Sequence, residues 1–215
     1  TIIKKTIVME NNLNTVMPRI GDQAPDFNAL TTIGELKFSD YNKSSWVILF
    51  SHPADFTPVC TTEMSGFATE EKKKKNHQTK LLGLSIDSIH AHIAWVNAVK
   101  EKTDVLFNFP IIADLDMKVA KLYGMLQPGE SETAAVRAVF FIDPTGRIRL
   151  IMYYPLNIGR NMAEIKRVLL ALQTSDEHKV AMPLNWMPGD KVIVPAPKTL
   201  EALEERKNSN LEMVD

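Results

Sequence analysis

Unbroken apolar runs and helical spacings alternate along this chain, and this pattern predicts strands and helices in turn. A run without polar alternation is typical of a strand that is covered on both faces. Such runs occur at 46–51, 81–86 and 110–113. Each is followed by apolar residues three or four positions apart, which indicates a helix with one buried face. The chain is therefore predicted to contain three consecutive strand–helix units.

Local signals place the ends of the second and third helices. Asp87 or Ser88 is expected to cap the second helix. Asp116 is expected to cap the third helix, and Gly124 to end it. The second helix should bury one apolar face, formed by Ile89, Ile93, Val96 and Val99.

A hairpin and one more helix follow the three units. The segment 143–146, Asp-Pro-Thr-Gly, is a strong turn sequence between apolar strands at 136–142 and 147–153. Asn161 suits the N-cap of a final helix over 161–173. Parallel units that end in an antiparallel hairpin predict an α/β fold, with a central mixed sheet flanked by helices.

The chain divides into three predicted regions. Residues 1–16 form a loosely defined N-terminal extension. Residues 17–174 form the main domain, which opens with a small hairpin at 27–38 and a polar connector at 40–45. Residues 175–215 form an extended C-terminal arm, because prolines interrupt them and no helical period appears before Leu200–Lys207. We expect this apolar arm to lie in a dimer interface or against its own domain.

Composition excludes several classes of function. The net charge of −1 gives no electrostatic case for binding nucleic acid or a membrane surface. No apolar run approaches the roughly 20 residues that span a bilayer, and the first residues lack the pattern of a signal peptide. A single cysteine excludes a disulfide within these 215 residues and fits a reducing compartment. We therefore expect a soluble cytoplasmic protein.

The single cysteine, Cys60, stands where the first unit passes from strand to helix. Thr57 suits the N-cap and Pro58 the first helical position, in a helix expected to extend to about Asn76. Cys60 then lies in the first helical turn, where unpaired N–H groups and the positive end of the dipole favour a thiolate. We predict a nucleophilic cysteine rather than a structural one.

Arg137 is the second conspicuous residue, because it is a permanent cation in an otherwise apolar strand. A buried guanidinium needs an anion. That anion could be the Cys60 thiolate, in which case Arg137 stabilises it and can bind a substrate oxygen, or a carboxylate in a structural ion pair. The Thr57 hydroxyl could cap the helix or hydrogen-bond a substrate oxygen beside Cys60, and these two roles are compatible.

Neighbouring residues and absent motifs narrow the chemistry further. Pro53 removes a backbone donor and stiffens the loop, which either shields the thiolate or only shapes the turn. His52 is the histidine nearest to Cys60 in the sequence and could suggest a hydrolase, although a histidine at a strand end is more often structural. His90 and His92 would point about 200° apart on one helix. With one cysteine, and neither a glycine-rich phosphate loop nor Cys-x-x-Cys, we expect no metal site and no cofactor.

The segment 51–63, Ser-His-Pro-Ala-Asp-Phe-Thr-Pro-Val-Cys-Thr-Thr-Glu, closely resembles the active-site signature of the peroxiredoxins. Further likeness is found at 82–87, at 154–161 and around Asn185-Trp186. The chain is similar to the one-cysteine and archaeal-type branch of the AhpC/TSA family, over about 17–197. This resemblance implies a thioredoxin-like fold.

The resemblance also implies a thiol-specific peroxidase for hydrogen peroxide and organic hydroperoxides. Cys60 would be the peroxidatic cysteine, oxidised to a sulfenic acid, and Pro53 would shield it. The residues expected to contact the substrate are Thr57, Arg137, Arg160 and His52. Family members associate as homodimers, and many archaeal-type ones form rings of five dimers.

Two departures from related proteins change the expectation. Without a second cysteine in these residues, the sulfenic acid must be resolved by an external thiol, and Cys60 should be prone to over-oxidation. Residues 43–47, Lys-Ser-Ser-Trp-Val, lack the Gly-x-Ser-x-Gly motif of some relatives, and Ser39 stands where a histidine would be needed, so we predict no phospholipase activity. The alternative functions are a peroxide sensor or a redox-regulated holdase chaperone, with a cysteine hydrolase ranked last.

Overall fold

The computed structural model describes residues 17–73 and 78–208, with side chains over 17–71 and 78–204. The predicted N-terminal extension and residues 74–76 of the first long helix lie outside the described residues. The chain forms two compact units, one up to Gly159 and one from Arg160, and each is described by itself. The elements are β1 (Asn28–Thr31), β2 (Gly34–Lys37), α1 (Phe38–Asn42), β3 (Trp46–Ser51), α2 (Pro58–Lys73), β4 (Thr79–Ser85), α3 (Ile89–Thr103), β5 (Ile111–Ala113), α4 (Lys118–Leu122), β6 (Arg137–Ile142), β7 (Ile148–Tyr154), α5 (Met162–His178) and α6 (Leu200–Asn208).

The described strands of the first unit form one mixed sheet in the order β2-β1-β5-β4-β3-β6-β7. Strands β3, β4 and β5 are parallel, as the three strand–helix units predict. The hairpin of β6 and β7 is antiparallel, and β6 also pairs antiparallel with β3. The carboxyl end of β3 therefore lies beside the start of β6. Both strands are buried along their whole length, which explains their unbroken apolar runs.

The polar connector predicted at 40–45 is wrong in its first part, because residues 38–42 form the short helix α1. Phe38 is 2 % exposed and packs edge-on against the Tyr123 ring. The Asp26 carboxylate accepts a hydrogen bond from the Ser39 N–H at 2.8 Å. Tertiary burial at both ends of the segment, at Phe38 and Asn42, stabilises a helix that is too short to form alone.

Ser88 caps α3, as predicted, with its hydroxyl oxygen accepting from the Ala91 N–H at 3.2 Å. The predicted inward face of α3 is confirmed at Val99, which is buried, and wrong at Ile93, which is 53 % exposed. The buried side chains of this helix are His92, Trp95 and Val99. These three residues also follow a helical spacing. Because one of them is a histidine, this buried face is less hydrophobic and the sequence did not indicate it.

Helix α4 starts one residue later than the predicted Asp116 cap, with Met117 at its N-cap. The Asp114 carboxylate accepts from the Val119 and Ala120 N–H groups at 3.0 and 2.7 Å, so a different aspartate satisfies this helix start. Gly124 follows the helix at φ +63°, which confirms the predicted stop.

The second unit contains α5, α6 and the segment between them. The Asn161 side chain caps α5 by accepting from the Ala163 and Glu164 N–H groups, as predicted. The helix continues to His178, past the predicted start of the arm at 175. Trp186 is buried, and its carbonyl oxygen accepts from Arg167 of α5 at 3.3 Å, so this part of the arm lies against α5. The boundary after 174 stays a prediction.

None of the described helices is both long enough and apolar enough to cross a bilayer.

Candidate active site

The site forms where the carboxyl end of β3 meets the start of β6. The Ser51 hydroxyl donates to the Val136 carbonyl at 2.6 Å and accepts from the Ala138 N–H at 3.1 Å. One side chain thereby joins the end of β3 to both neighbours of Arg137. This pairing brings the loop after β3 and the arginine to the same edge of the sheet, where α/β proteins place their ligand sites.

Cys60 lies in the first turn of α2, as predicted. The helix begins at Pro58, and the Thr57 carbonyl accepts the first helical hydrogen bond from the Thr61 N–H at 3.0 Å. Thr57 is therefore at the N-cap position and Cys60 at the third helical position. Cys60 is 0 % exposed. Its sulfur meets the positive end of the helix dipole in a site removed from bulk water.

The Arg137 guanidinium contacts the Cys60 sulfur directly. Its Nη1 donates to the Cys60 Sγ at 3.3 Å and to the Glu63 carboxylate at 2.7 Å. Its Nε and Nη2 donate to the Leu156 carbonyl at 2.9 and 2.6 Å. The structure thus brings Arg137 to both partners that the sequence suggested, the Cys60 sulfur and a buried carboxylate, while its role toward a substrate stays a prediction. The carbonyl clamp fixes the plane of the guanidinium, so the cation cannot turn away from the sulfur.

Sequence analysis missed Glu63. It lies three residues after Cys60 on α2, and this spacing puts both side chains on one face of the helix. An arginine that contacts Cys60 would therefore be expected to contact Glu63 as well, and this spacing could have identified Glu63 from the sequence. Glu63 and Arg137 are both almost fully buried, and each needs the other because an isolated buried charge is strongly disfavoured.

The Thr57 hydroxyl donates to the Ala54 carbonyl at 3.0 Å, within the loop. The hydroxyl oxygen keeps acceptor capacity, so it can receive a hydrogen bond from a substrate O–H group. Thr57 and Pro53 are both half-buried, whereas Cys60 behind them is enclosed. The partly exposed side of the site is thus the loop side.

A strained residue lies between the two halves of this loop. Phe56 has φ +59°, a left-handed conformation that is uncommon for residues with a large side chain. Such a conformation costs on the order of 1 kcal/mol and persists only where the surroundings hold it. The residue is 59 % exposed and its ring centroid lies 6.5 Å from that of Trp95, so packing of the side chain supplies only part of that constraint.

A buried cluster of His52, Asp55 and His92 supports the same loop. The His52 Nε2 lies 2.8 Å from one Asp55 oxygen, and the His92 Nδ1 lies 2.7 Å from the other. Burial alone would raise the pKa of Asp55, but hydrogen bonds from His52 and His92 outweigh it, so the pKa of Asp55 is lowered. His90 is exposed, which confirms that the two histidines of α3 point apart.

The cluster escaped sequence analysis because His92 was not assigned to the buried face of α3. One nitrogen or carboxylate oxygen from each of His52, Asp55 and His92 lies within 4.8 Å of the others. Such an arrangement could also hold a metal ion. The short contacts between them are hydrogen-bond distances, and Asp55 separates the two rings. The expectation of no metal site stays a prediction.

Arg160, one of the four predicted substrate-binding residues, lies in the second unit directly before α5 and is 7 % exposed. Its role at the site stays a prediction.

The fold and this site define a class of protein: an α/β protein with one nucleophilic cysteine at a helix start, paired with a clamped arginine. The AhpC/TSA family profile matches residues 20–151, and the C-terminal domain of 1-Cys peroxiredoxin matches residues 171–209. The chain belongs to the AhpC/TSA family, in its one-cysteine peroxiredoxin branch.

Relatives and solved structures agree. The chain is 55 % identical to a peroxiredoxin of Methanosarcina mazei, covering 88 % of this chain and 90 % of that protein. It is 52 % identical to peroxiredoxin 2 of Caldanaerobacter subterraneus, covering 94 % and 91 %. A yeast mitochondrial 1-Cys peroxiredoxin matches with a TM-score of 0.77 and 44 % identity, over 83 % of this chain and 87 % of that one. Peroxiredoxin 6 of Arenicola marina, as a cysteine-to-serine variant, matches with a TM-score of 0.81 and 39 % identity, over 87 % and 88 %.

These comparisons confirm two predictions. The fold is the thioredoxin-like fold of the peroxiredoxins. The protein is a thiol-dependent peroxidase.

Proposed function

We propose that Cys60 is the peroxidatic residue of this thiol peroxidase, and that Thr57 and Arg137 orient the peroxide. The observation that carries the proposal is the 3.3 Å contact between the Arg137 Nη1 and the Cys60 Sγ at the start of α2. A cation and a helix N-terminus together stabilise an anionic sulfur, which is the nucleophilic form.

The reaction follows from this geometry. The Cys60 thiolate attacks the hydrogen-bearing oxygen of R–O–O–H, the S–O bond forms as the O–O bond breaks, and sulfur loses two electrons to the leaving oxygen. The leaving oxygen takes a proton and departs as water or alcohol, while Cys60 becomes a sulfenic acid. Negative charge moves from sulfur to the leaving oxygen, so donors directed at that oxygen lower the barrier. Arg137 is such a donor, and Thr57 can accept the peroxide O–H.

Three further residues have proposed roles. Pro53 shields the sulfur on the loop side, where it stands half-buried before Ala54. Arg160 would add a second cation, and His52 a contact near the peroxide. These assignments rest on the family resemblance, and each would be tested by its own alanine variant in the peroxide assay.

An external thiol completes the cycle. The first thiol condenses with the sulfenic acid to give a mixed disulfide and water, and a second thiol releases Cys60 and an external disulfide. The yeast mitochondrial relative has a thiol-resolving mechanism via glutathione/thioredoxin systems. We propose a small thiol or a thioredoxin-type protein as the reductant here, in antioxidant defence and redox homeostasis.

The test is rapid mixing of pre-reduced protein with hydrogen peroxide or an organic hydroperoxide. Without added thiol, we expect a fast burst that consumes one equivalent of peroxide per chain and then stops. Added thiol should convert the burst into steady turnover. A burst rate no higher than that of free cysteine would contradict the proposal. A burst without turnover in a screen of thiols and thioredoxins would favour the alternative of a peroxide sensor or redox-regulated holdase.

We also propose that the protein acts in the cytoplasm as a homodimer, or as a ring of five dimers. This proposal rests on the family resemblance, and a partner subunit would cover exposed apolar residues such as Leu184 and Leu200 of the second unit, which are 90 % and 83 % exposed. Multi-angle light scattering of the reduced protein tests this, and a monomer at all concentrations would contradict it.

A further inference from the structure

The His52–Asp55–His92 cluster is buried beneath the loop that leads to Cys60, and the reaction steps above do not use His92. We propose that His92 is a positioning residue for Cys60, and that it acts as a doubly protonated imidazolium that holds Asp55 and hence the loop. This inference deepens the proposed function, since it concerns how the same cysteine is kept in place.

The protonation state of His92 follows from its two neighbours. The Nδ1 lies 2.7 Å from the Asp55 carboxylate, and the Nε2 lies 3.0 Å from the Ile112 carbonyl oxygen. A carbonyl and an ionised carboxylate can only accept hydrogen bonds. Both ring nitrogens must therefore donate, and an imidazole that donates from both carries a proton on each. A neutral ring would place lone pairs against each other at one of the two contacts.

The charges within the cluster balance. Asp55 supplies the negative charge and His92 the positive charge, and His52 adds its hydrogen bond to the other Asp55 oxygen at 2.8 Å. Trp95 of α3 lies against the His52 ring, with centroids 5.1 Å apart, and closes the cluster from the helix side. A paired and hydrogen-bonded charge is the form in which a buried ion is tolerated.

Asp55 transmits this constraint to the loop. Its backbone N–H donates to the Asp87 carboxylate at 3.0 Å, and the same Asp87 oxygen accepts from the Ser85 hydroxyl at 2.6 Å. Asp55 is thus held through its side chain and its backbone, by groups on α3 and after β3 and β4. The next residue is the strained Phe56, followed by the N-cap Thr57. The fixed Asp55 supplies the part of the constraint that packing of the Phe56 ring does not.

A bridging metal ion is the competing explanation of the cluster. Two ligands at bond lengths of about 2.0 Å on a tetrahedral ion lie about 3.3 Å apart. The observed separations of 2.7 and 2.8 Å between the histidine nitrogens and the Asp55 oxygens are shorter and fit shared protons. These distances favour hydrogen bonds over a bridging metal ion.

The experiment compares the variants His92→Ala, Asp55→Asn and His90→Ala in the pre-reduced protein. His92→Ala removes the hold on Asp55, and we expect the peroxide burst to slow about 10- to 100-fold, because small misplacements of reacting groups cost that much. The control His90→Ala changes the exposed histidine of the same helix and should react at the wild-type rate.

Asp55→Asn separates the hydrogen bonds from the charge. The asparagine oxygen can accept from His52, and its amide can donate to the His92 Nδ1, provided that this nitrogen has lost its proton. All three contacts then persist in neutral form. We expect a burst slowed only a few-fold, since neutral hydrogen bonds are weaker than charge-assisted ones but the geometry is kept.

Nitrogen-15 NMR of the histidine rings reads the protonation directly. At neutral pH we expect both nitrogens of His92 to be protonated in the wild type, and only Nε2 in Asp55→Asn. One protonated nitrogen in the wild type, or a stoichiometric metal ion found by native mass spectrometry, would overturn the imidazolium assignment. A folded His92→Ala with the wild-type rate would overturn the positioning role.

If His92→Ala does not fold, His92→Gln replaces it. Its amide can donate to Asp55 but lacks the second ring donor to Ile112. We expect a folded protein with a burst at least about threefold slower, and the wild-type rate would overturn the positioning role. A wild type that consumes no peroxide would instead refute the proposed function, while the NMR result would still decide the state of His92.

Discussion

The variant Cys60→Ser is expected to lose peroxide reduction completely, with a burst at least about three orders of magnitude slower than the wild type. A serine hydroxyl has nearly the same shape, but it does not ionise near neutral pH, and the helix terminus and Arg137 cannot change that. Stopped-flow mixing with hydrogen peroxide, with consumption counted per chain, measures the effect.

Thr62→Ser is the matched control for this variant. Thr62 is exposed on the same helix, and its hydroxyl donates to the Val59 carbonyl at 2.7 Å, a bond that serine can keep. This control should react as the wild type does. Residual burst consumption by Cys60→Ser, with circular dichroism showing an intact fold, would mean that the oxidised group lies elsewhere in the chain.

The second large effect is expected at Arg137. Arg137→Met removes the donor to the Cys60 sulfur and to the leaving oxygen, and we expect the burst to slow about 10²- to 10³-fold, as for other donors that meet developing charge. The same change leaves the Glu63 carboxylate buried without its cation. The loss of one partner of a buried ion pair costs about 3–5 kcal/mol of stability. A slower burst from this variant alone therefore does not distinguish a loss of stability from the loss of the hydrogen-bond donor.

The double variant Arg137→Met/Glu63→Gln separates the two effects. It removes both charges, so most of the lost stability should return in thermal or urea unfolding, because no uncompensated buried charge remains. The peroxide burst should stay slow, because the donor to sulfur is still absent. If the double variant also recovered the rate, Arg137 would be a structural ion-pair residue and not a catalytic one.

Glu63 also helps to fix the orientation of the Arg137 guanidinium. The Arg137 Nη1 serves two acceptors, and the contact to Glu63 is the shorter, at 2.7 Å against 3.3 Å. The cation is therefore shared between the Glu63 carboxylate and the cysteine. In the proposed reaction, a peroxide that binds beside the sulfur would meet a guanidinium already oriented by Glu63 and the Leu156 carbonyl. The arginine is thereby preorganised, and it spends no free energy on reorientation during the reaction.

Much of the secondary structure was predicted from the sequence, but two features of the helices were not. The strand–helix alternation, the hairpin at 143–146 and the helix start at Thr57-Pro58 were predicted and are present. The inward face of α3 was predicted correctly at Val99 but wrongly at Ile93, because hydrophobicity favoured isoleucine over the buried His92 and Trp95. Helix α1 was missed because it depends on Phe38 meeting Tyr123, a contact no local pattern contains.

The order of residues alone established that a cysteine opens a helix after a buried strand, since N-caps, prolines and apolar periods act over a few neighbouring positions. The tertiary structure alone decided which groups surround that cysteine. Arg137 is separated from Cys60 by 77 positions and from Glu63 by 74, and His92 is separated from Asp55 by 37. These contacts arise from strand pairing and helix packing, so the electrostatics of the site become visible only when the sheet and its helices are assembled.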